Sequence, residues 1–322
     1  MSRIFEALQR AQAEYSEIDL SSETAEMLQR SERRTSLNCG SRVLSEPYDA
    51  TKSVDNDTSF DRSSVPTVEM AVEAPTAVEP LPADERLGLF AQIKSRQVLP
   101  TPQSRLPCLT DSDSPAAEAF RLLGVRMRHL RRDRALKKVL ITSTIPQEGK
   151  SMVAANLACT LALRTQQRIL MLEGDLRRPS LSRMFGLGKN PGLSEYLYGE
   201  GSLTTGIYHL EDANLWILPA GSTPSNALEL LQSGKLSTLM DQLTVLFDWI
   251  IIDSPPVLPL ADTSVWMRLA DGILLTTRQG TTDKRQLQRG LEAIETKKLL
   301  GALVNSSNNA STSDYYYRPT TI

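Results

Sequence analysis

The chain has 322 residues, 40% of them hydrophobic and 23% charged, with a formal net charge of −2, which is the profile of a globular chain with no bulk charge to attract a polyanion. Three cysteines (Cys39, Cys108, Cys159) without a CxxC pair, and only two histidines, leave little for a disulfide framework or a zinc site. No run approaches the roughly 18 apolar residues of a membrane span and the start lacks a signal-peptide core, so the composition predicts a soluble, cytoplasmic protein with no direct membrane span.

Residues 1–34 open with SRIFEALQRAQAEY, where Ile4, Phe5, Leu8 and Ala11 recur at helical spacing behind Ser2, a residue able to cap a first turn. The pattern predicts a short amphipathic helix, either packed on its own domain or docked on a partner or membrane surface. Residues 35–112 are rich in Ser, Thr, Pro and Glu, with seven prolines between Val65 and Asp111. Such a stretch has too little apolar surface to offset its ordering entropy and reads as a disordered acidic arm. The charge divides the same way: 12 basic against 18 acidic residues up to 112, then 24 against 20 from 113 onward.

From residue 113 to 309 short apolar runs alternate with helical patterns. KVLITS (138–143), RILMLEG (168–174), LWILPA (215–220), DWIIID (248–253), GILLTTR (272–278) and LLGALVN (299–305) read as buried strands, with amphipathic stretches such as SMVAANLACTLAL between them. Near-continuous apolar strands separated by helices predict an α/β fold with a doubly wound, mostly parallel sheet. The basic run GVRMRHLRRDRALKK (124–138) is either a solvated helix face or a subunit interface; it lacks the aromatic interleaving of single-strand binders, so no nucleic-acid partner is expected. His129 in that run reads as a polar surface residue and Cys159 as core.

Chemistry concentrates at the strand ends, where open α/β sheets bind ligands. After the first strand, STIPQEGKSM turns into a helix, and a strand–loop–helix with Gly149-Lys150-Ser151 aims backbone N–H groups at an anion. Thr144, Gln147, Glu148, Gly149, Lys150, Ser151 and Met152 are the candidate nucleotide-binding residues, Thr144 standing where the first glycine of G-x-x-x-x-G-K-S belongs. LMLEGD places Glu173 and Asp175 past a second strand, and WIIID places Asp253 at the end of a third. Together they predict a site for ATP and Mg²⁺: Lys150 for phosphate charge, Ser151, Asp253, Asp175 and Glu173 as metal candidates, and Lys150, Asp175 and Asp253 as the catalytic set.

The series TIPQEGKS, LMLEGDLRRP, IIIDSPPVLPLAD, SNALELLQ and a terminal YYY resembles the bacterial tyrosine kinases of capsule and exopolysaccharide systems (BY-kinases), over roughly residues 113–322. The resemblance implies a P-loop fold of the MinD/ParA-like type. It also implies autophosphorylation in trans of Tyr315, Tyr316 and Tyr317 in a flexible tail (310–322), and control of polysaccharide export with a membrane-spanning co-polymerase as activator. It carries Lys150 and Ser151 onto the Walker A pair, Asp175 onto the second aspartate of Walker A′, and Asp253 onto Walker B. Asp262 falls on the acidic position after the PPV segment and Arg278 on an arginine closing the next strand.

Three positions depart from that pattern, and a fourth bears on a related group. Gln147 replaces a loop glycine, which matters if the backbone there needs φ > 0. Glu173 stands for the first aspartate of Walker A′. Glu118 and Arg121 match the helix through which family members form rings, but Gly124 stands where a second arginine is usual, which bears on whether a homo-oligomer forms. Ile145 stands where partition ATPases carry a signature lysine, which argues against that relative. The remaining alternative to a kinase is a nucleotide-dependent switch or scaffold.

Overall fold

The computed structural model describes residues 83–100, 104–163 and 165–306. The helix expected within 1–34 and the tyrosines of the tail lie outside that range. Eight strands form one sheet: β1 (Lys94–Arg96), β2 (Lys138–Ser143), β3 (Ile169–Glu173), β4 (Tyr208–Leu210), β5 (Leu215–Leu218), β6 (Trp249–Asp253), β7 (Gly272–Arg278) and β8 (Leu299–Asn305). The order across it is β1-β4-β5-β3-β6-β2-β7-β8, and only β4–β5 is antiparallel. All six strands read from the sequence are present. The two not foreseen, β1 and β4, have three residues each, too few for a period-2 pattern to register.

The helices that matter below are α1 (Ala83–Gln92), α2 (Pro107–Thr110), α3 (Pro115–Asp133), α4 (Lys150–Ala162), α5 (Leu181–Met184), α6 (Asp262–Leu269) and α7 (Lys284–Glu292). They cover both faces, because the central strands are apolar on both: β2, β3 and β6 bury almost every residue. One core lies under α4, built on Val153, Leu157, Leu161, Ile141 and Met171. The other lies on the opposite face, built on Leu140, Leu172, Ile250, Ile252 and Trp266.

The register decides where the chemistry gathers. Ile141 is level with Asp253 across β2–β6, and Glu173 is level with Asp253 across β3–β6. The carboxyl ends of three adjacent strands therefore open onto the same edge, and the loops after β2, β3 and β6 converge there.

The reading of 35–112 as a disordered arm does not hold for its C-terminal part. Residues 83–112 contain α1, β1 and α2, and β1 extends the sheet by pairing parallel to β4. The anchor is aromatic: Phe90 meets Trp216 and Phe247 edge-on, with ring centroids 5.5 and 5.6 Å apart, and the Arg168 guanidinium lies 4.4 Å from the Phe90 centroid. Composition averaged over the whole arm hid one hydrophobic plug.

Helix α3 begins as its sequence dictates. Ser114 accepts the Ala117 N–H at 3.3 Å, Pro115 takes the first turn, Glu118 sits at the positive end, and Arg131 and Arg132 sit at the negative end. Gly124 is buried against α4, and a Cβ there would lie 3.0 Å from Thr160 Cγ2. The position faces the neighbouring helix, so an arginine there would have to displace Thr160 to reach solvent. His129 is exposed and Cys159 fully buried, as read from the sequence.

Candidate functional site

The loop from Thr144 to Gly149 joins β2 to α4 and changes hand twice. Gln147 has φ +69° and Gly149 has φ +89°, and left-handed residues in such a turn swing backbone N–H groups toward one side. The condition posed by Gln147 is met: a side-chain-bearing residue occupies a conformation that costs about 1–2 kcal/mol for L-residues other than glycine. At Gly149 a side chain is not tolerated, since a Cβ would also collide with the Asn305 amide nitrogen. Thr144 is buried, and its hydroxyl lacks a partner among the described residues.

Glu148 does not face the cleft. Its carboxylate is fully buried, accepts the Ile145 N–H at 2.8 Å and the Thr282 hydroxyl, and so braces the loop from behind. The side chain turns inward because the tight turn leaves the Ile145 N–H in need of an acceptor, so any contact of Glu148 with a phosphate would be through its backbone N–H.

Lys150, at the first turn of α4, reaches back across the strand ends. Its Nζ lies 3.0 Å from Asp175 Oδ2, 3.7 Å from Asp253 Oδ1 and 3.2 Å from Ser151 Oγ. Burial pulls the ammonium down, but Asp253 and Asp175 outweigh it and hold Lys150 above the ordinary lysine value. Burial pushes Asp253 up, with Lys150 opposing. Among the described residues neither Asp253 oxygen has a hydrogen-bond partner by geometry, Lys150 at 3.7 Å and the neighbouring Ser151 hydroxyl being the groups that face it, although the residue is completely buried. Asp175 is better satisfied, its Oδ1 accepting the Arg178 N–H at 3.0 Å.

Unsatisfied, buried carboxylate oxygens beside a serine hydroxyl are the hard donors that Mg²⁺ takes, and the residues fit that ion. Among the described residues no group of three or more His, Cys, Asp or Glu side chains could hold a metal by itself. Mg²⁺ is usually held by one or two carboxylates with water and substrate phosphates.

Glu173 is engaged by the backbone around it. Its side chain points away from the loop: Oε1 accepts the backbone N–H groups of Ser180 and of Leu181 (2.6 Å to the latter), and Oε2 accepts Ala220 N–H at 3.0 Å. Burial holds it above the usual carboxylate range despite those three donors. The longer side chain ties the start of α5 and the loop after β5 to β3, and these donors take three of the carboxylate's roughly four acceptor sites.

A cleft of about 1000 Å³ opens beside the loop, lined by Gln147, Gly149, Lys150, Ser151, Met152 and Asp175 on one side. Arg105, Arg177, Arg178 and Arg183 line it as well, so the cleft is cationic beyond Lys150. Arg177 is gripped by Asp262 through Nε–Oδ2 at 2.7 Å and a second contact at 3.1 Å, giving the acidic position after the PPV segment a definite partner. Arg105 sits in the supposed arm, and neither its charge nor its spacing marked it. Glu118 and Arg121 pair with each other on the outer face of α3, near the exposed Leu122 and Val125. Tyr315, Tyr316 and Tyr317 lie outside the described residues. Among the described residues no helix is long and apolar enough to cross a membrane.

No protein-family model matches the chain. Tyrosine-protein kinase YwqD of Bacillus subtilis is 33% identical over 217 residues, which is 67% of this chain and 91% of that protein. The chain belongs to the bacterial tyrosine-protein kinases. The succinoglycan biosynthesis transport protein ExoP of Rhizobium meliloti is 32% identical over 200 residues, covering 61% of this kinase and 25% of that longer protein. The solved kinase domain of Escherichia coli tyrosine kinase ETK aligns with a TM-score of 0.62 at 27% identity, over 67% of this chain and 85% of that one. The kinase thus shares the fold expected from its strand pattern with domains of the same family.

Proposed function

We propose that the protein is an ATP-dependent protein-tyrosine kinase that phosphorylates the Tyr315–Tyr317 cluster of a second copy. The observation that carries this reading is Lys150 held between Asp175 and Asp253, at 3.0 and 3.7 Å, beneath a left-handed phosphate loop in a chain of this family. Lys150 bridges the two carboxylates. Phosphate oxygens entering under the Gln147–Gly149 turn compete for its ammonium and free Asp175. Asp175 then accepts the proton of the incoming tyrosine hydroxyl. The phenolic oxygen bonds to the γ-phosphorus as the bond to the β–γ bridging oxygen breaks, giving phosphotyrosine and ADP. Ser151 and Asp253 would hold Mg²⁺, which would supply charge neutralisation to the phosphates.

The same reading makes the kinase a cytoplasmic component of exopolysaccharide or capsule export, working with a membrane-spanning co-polymerase that activates it. ExoP, a polysaccharide transport protein by name, supports the association. Glu118 and Arg121 on α3 are proposed as the oligomer contact.

The test is intact-mass spectrometry of the protein co-expressed with its activator. Additions of about 80 Da, the mass of one phosphate, are expected on the tail, and they disappear in Lys150→Met and in a Tyr315–Tyr317→Phe variant. Phosphotyrosine persisting in purified Lys150→Met overturns the assignment. ATP turnover with an unmodified tail is the signature of the switch.

A further inference from the structure

We infer that Asn305 and Thr282, at and beyond the ends of the last two strands, are positioning residues that hold the phosphate loop in its binding shape from behind. The inference rests on the reading of that loop as the phosphate site and extends the site to the far edge of the sheet. Asn305 closes β8, and its Nδ2 donates to the Glu148 carbonyl at 2.9 Å. Its amide orientation is fixed by chemistry: the Ser306 N–H can only donate, and it meets Oδ1 at 2.8 Å, so Nδ2 must face the Glu148 carbonyl, which can only accept. The Asn305 backbone is tied in turn to the end of β7, its carbonyl accepting Gln279 N–H at 3.1 Å.

Thr282 acts on the other end of the same residue. Its hydroxyl donates to Glu148 Oε1 and accepts from Thr277 Oγ1 at 2.9 Å, while Glu148 Oε2 takes the Ile145 N–H inside the loop. Glu148 is thus gripped through its main chain from the end of β8 and through its side chain from the loop after β7. It sits between Gln147 at φ +69° and Gly149 at φ +89°. A turn carrying a strained non-glycine residue persists only where its surroundings over-determine it, and these two side chains do so. Gly149 completes the fit, since any side chain there would strike the Asn305 amide. Neither Asn305 nor Thr282 lines the cleft; both act through the loop.

The experiment is calorimetric titration of the full-length protein with Mg²⁺ and either a non-hydrolysable ATP analogue or inorganic triphosphate. Asn305→Leu and Thr282→Val are compared with wild type and with Thr282→Ser. Each apolar variant is expected to bind both ligands about tenfold more weakly, equivalent to about 1.4 kcal/mol, and by the same factor for both. Thr282→Ser, which keeps the hydroxyl, restores wild-type affinity. Melting curves on the same samples, with midpoints within a few degrees of wild type, separate a reshaped loop from a failed fold. Unchanged affinity in both apolar variants overturns the inference, as does a loss for the ATP analogue without one for triphosphate, which moves Asn305 to the base. Wild type that binds neither ligand refutes the phosphate-site reading itself, a different failure.

Discussion

Replacing Glu173 by aspartate restores the residue usual in the family, and the structure argues that it does harm. The Glu173 carboxylate serves three backbone donors, with Leu181 N at 2.6 Å and Ala220 N at 3.0 Å besides Ser180 N. Removing one methylene withdraws the carboxylate by about one carbon–carbon bond, roughly 1.5 Å. From these distances that carries contacts on one side or the other beyond hydrogen-bonding range. Bonds to a charged acceptor contribute about 1.5–3 kcal/mol each, and the orphaned N–H groups are buried. Losing two of the three therefore destabilises the fold by about 3 kcal/mol or more. For a domain of this size each kcal/mol moves the melting midpoint by about 2–4 °C, so Glu173→Asp should melt roughly 6–12 °C lower. The assay is thermal unfolding followed by circular dichroism, run beside an Mg²⁺ titration of nucleotide binding. An aspartate variant that melts with wild type and binds Mg-nucleotide more tightly would falsify the argument and put residue 173 on the metal.

Three further outcomes are expected. Gly149→Ala adds left-handed strain of about 1–2 kcal/mol and a clash with Asn305, so nucleotide affinity should drop at least tenfold in calorimetry; unaltered binding shows that the turn is more pliant than its geometry implies. Gly124→Arg, which restores the family's second arginine, meets Thr160 at the α3–α4 contact and should cost about 3 kcal/mol or more through overpacking and a buried charge. Sedimentation should then show no gain in self-association, and a stable, larger oligomer contradicts this account. Burial holds the Cys108 and Cys159 thiols above the ordinary value of 9.0. The unfolded chain therefore loses those protons first, and folding stability falls as pH rises through 9. The stability difference between wild type and Cys159→Ala should shrink from pH 8 to 10 in urea titrations, and a difference that grows reverses the sign of the argument.

Most of the site was legible as residue types at strand ends. Lys150, Ser151, Asp175 and Asp253 each follow an apolar run, and the parallel pairing of β2, β3 and β6 brings them together as that pattern implies. Glu148 and Glu173 carry the same local signal as the aspartates, yet both turn inward to satisfy backbone N–H groups. Sequence shows a carboxylate at a strand end but not which donors surround it. Asn305 obeys the same rule, since it ends the last apolar strand, but an asparagine before a polar tail reads as the start of that tail. The plug around Phe90 was invisible because its partners, Trp216 and Phe247, are more than a hundred residues away in the chain.

The sequence by itself determined the alternation of strands and helices, the phosphate loop with its lysine and serine, and the identity of the carboxylates. Those follow from periodicity and from residue chemistry, which are local properties. Only the tertiary structure decided which backbone donors the carboxylates meet, that position 124 faces α4, and that Asn305 and Thr282 contact the loop after β2. Each of those depends on which backbone donors and side chains a fold brings within about 3 Å, and distance along the chain carries no record of that.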